Sequence, residues 1–226
     1  MSPIDRFRRR TPLSLSRVLA ALMAFGFAGG TLRAQADHDT TGATAPSLAA
    51  ATATPHILSE IRTGVLAHSL PILGPQHEHG ADVNAELLFV SPVSEQSVSG
   101  VAPAARWLLR PRPQVGITGN LSRYTSQAYL GLDWTAPAVV SPIRPQDRVL
   151  FDIAFGGAVN NDRTLASAVN RARLGSNLLF HPNLQISYGI DSRYTVGLYY
   201  EHSSNADLAK VNEGLNNIGF RLGRSL

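Results

Sequence analysis

Apolar and polar residues alternate with a period of two along most of the chain beyond residue 57. In DVNAELLF (82–89), valine, alanine, leucine and phenylalanine share one face, and asparagine and glutamate share the other. Such alternation is typical of β-strands with one apolar face. The pattern predicts eight strands, at 58–68, 81–90, 113–121, 126–135, 148–158, 172–190, 194–204 and 215–224.

Two stretches interrupt this regular pattern. Residues 91–112 form a long connection where an up-and-down barrel usually has a short turn. The sequence FHPN at 180–183 interrupts the sixth predicted strand, and its Pro182 predicts a bulge or a turn there.

The polar faces of these strands carry Gly, Asn, Asp, Gln, Ser and Thr, with charged residues at mid-strand. An outer-membrane barrel has this arrangement, with an apolar exterior and a polar interior. A soluble antiparallel sheet shows the same alternation with the apolar face inward. The number of strands and the lack of any apolar stretch long enough for a membrane helix favour the membrane. We therefore predict an all-β fold, an eight-stranded antiparallel outer-membrane β-barrel.

The N-terminus predicts export of the chain. Five arginines precede an apolar run from Val18 to about Gly29, and an Ala-x-Ala site ends at Ala36. This is the pattern of a cleavable signal peptide over residues 1–36. Residues 37–56, rich in Ala, Thr and Pro, read as a flexible leader, and residues 57–226 as the barrel domain.

Charge argues against nucleic-acid binding once the signal peptide is set aside. The full chain has 20 basic and 16 acidic residues and a formal net charge of +4. Six of the basic residues and one acidic residue lie within residues 1–36, so the mature chain is close to neutral. A basic footprint is therefore missing. The chain has no cysteine, so a closed hydrogen-bonded sheet would have to supply the stability that disulfides often give exported domains.

One histidine and one serine near the C-terminus are candidates for catalysis. Residues two apart on a strand point the same way, about 6.6 Å apart along the backbone. His202 and Ser204 are therefore neighbours, and they continue the apolar, lipid-facing row. Asn216 on the next strand is expected opposite His202, giving a nucleophile, a base and an orienting group. The alternative is that these are only polar residues at the wet end of a strand.

The segment EHSSNADLAKVNEGLNNIGFRLG (201–223) resembles the C-terminal hairpin of the PagL-type lipid A 3-O-deacylases, an acyloxyacyl hydrolase family. Looser similarity runs upstream through EIRTGVLAH, NAELLFVSP, RPQVGITGN, TSQAYLGLDW, FGGAVN and RLGSNLLFH. The resemblance implies an eight-stranded outer-membrane barrel with its active site on the outer wall. It implies removal of the acyl chain ester-linked at position 3 of lipid A. Ser204 would be the nucleophile, His202 the base, and Asn205 a group that stabilises the oxyanion.

The chain departs from this family at the third catalytic position. Where the family pattern has glutamate, this chain has Asn216, which can fix the imidazole tautomer but cannot stabilise an imidazolium by charge. Glu213 in the adjoining loop is an alternative acid if the loop folds back. Glu201 is excluded because its parity sends it into the barrel. A non-catalytic barrel with a structural or surface-interaction role therefore stays open.

The remaining expectations concern partners and bound groups. The expected partners are lipid A or lipopolysaccharide as substrate and the lipid of the outer membrane, and a homodimer stays open. No cofactor is implied, since serine ester hydrolysis needs none. His77 and His79 have no further ligand at metal-site spacing, so a solvated loop is favoured over a metal site. Trp134, Tyr194 and Tyr200 suit an interfacial aromatic girdle, and Tyr199 suits the core.

Overall fold

The computed structural model describes residues 57–74, 76–140, 148–161 and 171–226. The predicted signal peptide at 1–36 and leader at 37–56 lie outside these residues. The described strands are β1 (Leu58–Ala67), β2 (Ala81–Phe89), β3 (Arg112–Asn120), β4 (Gln127–Val140), β5 (Arg148–Asn160), β6 (Leu178–Phe180), β7 (Asn183–Gly189), β8 (Tyr194–Ser203) and β9 (Leu215–Ser225). No helix in the described part of the chain is long and apolar enough to span a bilayer.

The strands close into one antiparallel barrel. Hydrogen-bonded neighbours follow the order β4-β3-β2-β1-β9-β8-β7-β5-β6, and a further pairing between β4 and β5 closes the ring. The β6 and β7 strands both pair with β5 and occupy one position in the wall. The barrel therefore has eight positions, as predicted, and closure leaves no sheet edge unpaired.

The break between β6 and β7 is neither the bulge nor the turn that the sequence predicted. Phe180 lies opposite Gly157 and Asn183 lies opposite Ala154, so two residues on each strand lie between the two pairs. The register is therefore continuous across the break. Pro182 interrupts the ladder because it has no N–H to donate, while its carbonyl still accepts from the neighbouring strand at 3.0 Å.

The predicted long sixth strand begins later than expected. Residues 171–177 are irregular, and the strand starts only at Leu178. Gly175 has a φ of +69°, and a Cβ there would collide with the Val211 carbonyl. The chain is therefore diverted towards the loop between β8 and β9 before it enters the wall.

The long connection between β2 and β3 is partly helical. It contains a 3-10 turn (Gln96–Val98) and a short helix, α1 (Pro103–Leu108). The indole of Trp107 donates to the Thr135 carbonyl and that of Trp134 donates to the Leu108 carbonyl, each at 2.8 Å. These two bonds fix the helix against β4, which accounts for a connection longer than a turn.

The two faces of the wall are sorted as predicted, with apolar side chains outward and polar side chains inward. Leu130 and Phe220 are 69% and 68% exposed, whereas Glu86 is 1% exposed. Such an exterior suits lipid contact rather than water. The inward Tyr199 is fully buried, as expected.

Ion pairs and hydrogen bonds fill the barrel interior. The Arg62 guanidinium contacts Glu60 at 2.9 Å and Asp152 at 3.0 Å. Arg221 contacts Glu86 at 3.2 Å. Buried charges are tolerated when they are paired in this way. The interior is thus a packed polar core, and the surfaces open to a substrate are the outer wall and the barrel ends.

Candidate active site

The end of the barrel that carries the connections after β1, β3, β5 and β8 is here called the loop end. Three backbone segments meet there, at the last residues of β8. The β8–β9 register puts His202 opposite Asn216. On the other flank, the His202 N–H donates to the Pro182 carbonyl at 3.0 Å. Ser204 exchanges two backbone hydrogen bonds with Phe180, at 2.8 and 3.1 Å. The backbone of both candidate residues is therefore held by pairing on adjacent strands.

The His202 imidazole is oriented by Asn216. Its Nδ1 lies 2.8 Å from the Asn216 Oδ1. A carbonyl oxygen only accepts, so Nδ1 carries the ring proton and Nε2 presents a lone pair. This is the tautomer that a general base requires. The same oxygen also accepts the Tyr200 hydroxyl at 2.8 Å.

The loop between β8 and β9 covers one edge of the imidazole. Gly214 has a φ of +68°, a region that favours glycine. A Cβ added there would lie 3.0 Å from the His202 Cε1. Glycine at this position therefore permits the close approach of loop and ring.

Ser204 is half-buried and points outward, on the same row as His202. Among the described residues, no hydrogen bond joins its hydroxyl to the His202 Nε2. Same-face neighbours on a strand lie about 6.6 Å apart, so the two side chains must turn towards each other to meet. Catalytic hydrogen bonds are often long before substrate binds. The structure thus brings the predicted base and the predicted orienting group together, and it leaves the predicted nucleophile as their neighbour.

Asn205 is engaged with the surrounding loops. Its Nδ2 donates to the carbonyls of Leu174 and Val211, each at 2.7 Å. Its backbone N–H donates to the Asn212 Oδ1 at 3.0 Å. All of its hydrogen-bond donors are therefore occupied in this structure, and its observed contacts tie together the two loops beside Ser204.

Glu213, the alternative acid, is not brought to the imidazole. Its carboxylate binds the backbone N–H and the Nε of Arg173, both at 2.7 Å. Burial acts to raise the pKa of Glu213, but hydrogen bonds and charge from Arg173, together with His77, lower it. Glu201 lies inside the barrel and is 1% exposed, as its parity predicted.

The structure reveals a second histidine–serine pair that sequence reasoning missed. The His181 Nδ1 lies 2.9 Å from the Ser203 hydroxyl, which donates to the Gln127 Oε1 at 2.7 Å. Both His181 and Ser203 are fully buried inside the barrel. Gly116 leaves room for the Tyr129 ring, which stacks on His181 at 4.3 Å. The pair is sealed from any substrate and belongs to the core.

A sequence signal for this inner pair existed. The alternation of Asn183, Gln185 and Ser187 on the inward face continues back to His181, despite the intervening proline. Reading the register through the proline would have put His181 opposite Ser203.

A buried ionic cluster joins three connections at the loop end. His68 binds Asp82 through Nδ1 at 2.8 Å and Glu78 through Nε2 at 2.9 Å. Glu78 also accepts from Thr125 and from the Ala172 N–H. Burial acts to lower the pKa of His68, but hydrogen bonds to the two carboxylates raise it to about 9. The imidazolium therefore clamps the connections after β1, β3 and β5.

The other two loop histidines make separate contacts. The His79 Nε2 lies 3.0 Å from the Tyr124 hydroxyl, and the His77 Nε2 lies 3.4 Å from Glu213. Within the described ranges, no group of three or more histidine, cysteine or acidic residues could hold a metal ion.

Comparison with known proteins supplies a family. Residues 100–225, more than half of the chain, match the model of the family described as lipid A 3-O-deacylase (PagL). A solved structure described as "Crystal structure of the outer membrane enzyme PagL" matches with 15% sequence identity and a TM-score of 0.52. The match covers 73% of this chain and 98% of that chain, and at this identity it shows the fold alone. None of the curated proteins matches.

Proposed function

The chain belongs to the lipid A 3-O-deacylase (PagL) family, and we propose on that basis that it is an outer-membrane serine esterase that removes the 3-O-linked acyl chain of lipid A. The observation that carries the proposal is the 2.8 Å bond from the His202 Nδ1 to the Asn216 Oδ1, beside Ser204 on the outward row. The solved relative is an outer-membrane enzyme, and the apolar outer wall of this barrel supports the same location. Export would depend on the signal peptide expected at residues 1–36.

The proposed reaction begins with attack of the Ser204 hydroxyl oxygen on the ester carbonyl. The Nε2 of His202 takes the serine proton, while Asn216 holds the Nδ1–H. The tetrahedral intermediate collapses, the sugar oxygen leaves with the proton from Nε2, and the acyl group stays on Ser204. A water molecule, deprotonated by His202, then attacks the acyl carbonyl. The bond to the Ser204 oxygen breaks, this oxygen takes the proton back from Nε2, and the fatty acid leaves. No cofactor enters these steps.

The outer wall supports a lipid substrate in particular. Outward residues near the site on β8 and β9, including Leu198 and Phe220, are 46% and 68% exposed. Acyl chains lying in the bilayer can follow this apolar surface while the ester reaches the loop end. An enclosed pocket is therefore not required.

Asn205 can take part in this mechanism only if its present hydrogen bonds change. The family resemblance offers it as the group that stabilises the oxyanion. Its Nδ2 is bound to the Leu174 and Val211 carbonyls, so this role requires at least one of those bonds to break when substrate arrives.

The proposal is tested by mass spectrometry of lipid A from cells that express the wild-type protein or Ser204→Ala. Wild-type cells should contain lipid A that lacks a single acyl chain at position 3, and the variant cells should not. A Ser192→Ala control alters an exposed turn at the other end of the barrel and should behave as wild type.

The amide at position 216 favours a second candidate, a barrel with a structural or surface-interaction role. Asn216 cannot supply the charge that the family pattern provides at this position. Unchanged lipid A in cells whose membrane contains the folded wild-type barrel would support this candidate and reject the esterase.

A further inference from the structure

Two hydrogen-bond donors converge on one oxygen at the candidate site. The Oδ1 of Asn216 accepts from the His202 Nδ1 and from the Tyr200 hydroxyl, each at 2.8 Å. Tyr200 lies two residues before His202 on β8, on the same outward row. Asn216 is only 4% exposed, so protein side chains rather than water saturate this oxygen.

An amide in this position has two chemically different ends. If the Asn216 amide turned by 180°, its Nδ2–H would face the Nδ1 of His202. The imidazole would then have to carry its proton on Nε2. An Nε2 that already holds a proton cannot accept the Ser204 proton, and the wrong tautomer severely impairs triad hydrolases. A carboxylate has two equivalent oxygens and does not face this choice.

The Tyr200 hydroxyl favours one of the two amide orientations. A phenol donates a hydrogen bond more readily than it accepts one, so it prefers to face a carbonyl rather than an NH₂ group. We infer that Tyr200 is a positioning residue, which holds the Asn216 carbonyl towards His202 and thereby keeps the Nε2 lone pair available. The inference rests on the proposed esterase function. It gives Tyr200 a role that is needed only because position 216 holds an amide rather than a carboxylate.

The first test is a double-mutant cycle on the purified, reconstituted protein with lipid A as substrate. With Asn216 present, Tyr200→Phe should lower kcat about tenfold and leave KM nearly unchanged. In an Asn216→Asp background, the same change should lower kcat less than about twofold, since a carboxylate needs no orienting partner. Equal losses in both backgrounds would overturn the inference, because a general structural role predicts that result.

The matched control is Tyr194→Phe. Tyr194 is an outward, 44% exposed tyrosine at the opposite end of the same strand. Its loss should leave kcat unchanged in both backgrounds. A loss equal to that of Tyr200→Phe would show that the assay reports removal of any exterior tyrosine hydroxyl.

The second test reads the tautomer without turnover. Nitrogen-15 NMR of histidine-labelled protein in micelles distinguishes the two protonated ring nitrogens, and a His202→Gln variant assigns the signal. The wild type should show the Nδ1–H form, and Tyr200→Phe should raise the Nε2–H population severalfold. An unchanged tautomer ratio would overturn the inference even if both proteins were inactive. Activity that survives Ser204→Ala would instead reject the proposed function.

Discussion

Replacing Asn216 with aspartate tests how much the missing charge limits the rate. Aspartate has the length of asparagine, so its oxygen can keep the 2.8 Å contact with the His202 Nδ1. Glutamate, the residue of the family pattern, is one methylene longer and would have to fold back to reach the same place. Asn216→Asp is therefore the variant that changes charge with the least change in geometry.

The size of the effect follows from the charge that forms during the reaction. In the proposed reaction, His202 becomes an imidazolium when it takes the Ser204 proton. This imidazolium and the carboxylate of the introduced aspartate are unit charges about 4 Å apart, which attract by about 4 kcal/mol at an effective dielectric constant of about 20. Desolvation of the carboxylate opposes folding but is present before and during the reaction, so most of it cancels in kcat. Partial solvent access at His202 weakens the attraction between the imidazolium and the carboxylate. We expect kcat to rise about tenfold to a hundredfold.

The assay measures fatty acid released from lipid A in mixed micelles, with kcat and KM compared at several pH values between 7 and 9. Thermal unfolding of each variant checks that the barrel is intact. Asn216→Leu, which removes the acceptor at similar volume, should lower kcat at least a hundredfold. A folded Asn216→Asp protein with unchanged or lower kcat at every pH would refute the reasoning, because imidazolium stabilisation would then not limit the rate.

Three further predictions concern neighbouring groups. Ser203→Ala should destabilise the barrel by about 1–3 kcal/mol, since Gln127 loses a buried partner, yet change kcat less than about threefold; a loss as large as that of Ser204→Ala would mean that strand parity chose the wrong serine. Glu213→Gln should also change kcat less than about threefold, because the Glu213 carboxylate binds Arg173 rather than His202. A thousandfold loss in the same assay would identify Glu213 as the catalytic acid. The raised pKa of His68, about 9 against an ordinary 6.5, contributes up to about 3 kcal/mol of stability below pH 6.5, and this contribution is lost as pH rises through 9. NMR titration of His68 should show the raised value and protease cleavage of the loops should increase above pH 9, whereas titration near 6.5 would contradict the clamp.

Strand positions and faces were predictable from the sequence because their physical cause is local. A period of two, with leucine and phenylalanine on one face and aspartate and glutamine on the other, is compatible with few arrangements of the chain. The same parity placed Glu201 inside and His202 outside, and the structure agrees. The predicted start of the sixth strand was wrong because Gly175 contacts the loop between β8 and β9 instead of pairing in the barrel wall. The alternation of apolar and polar residues does not encode that contact.

The rest of the site depends on contacts between segments that are distant in sequence. The Asn205 amide binds the Leu174 carbonyl, 31 residues away in the sequence, and no rule of residue spacing predicts that bond. The inner pair of His181 and Ser203 was hidden because a proline appeared to break the register, although the ladder continues past it. The bond from the Tyr200 hydroxyl to Asn216 could not be predicted, because side-chain direction alone does not show that a hydroxyl reaches across to the next strand.

The most direct test of the central claim is covalent labelling of the intact, reconstituted barrel with a fluorophosphonate that carries a lipid-like chain, followed by peptide mass spectrometry. Such probes react with serine hydroxyls that a neighbouring base activates. We predict a single phosphonylated residue, Ser204, with labelling lost in His202→Gln and retained in Ser203→Ala. An unlabelled wild-type barrel, or labelling of Ser204 that persists without His202, would contradict the claim that this histidine activates this serine.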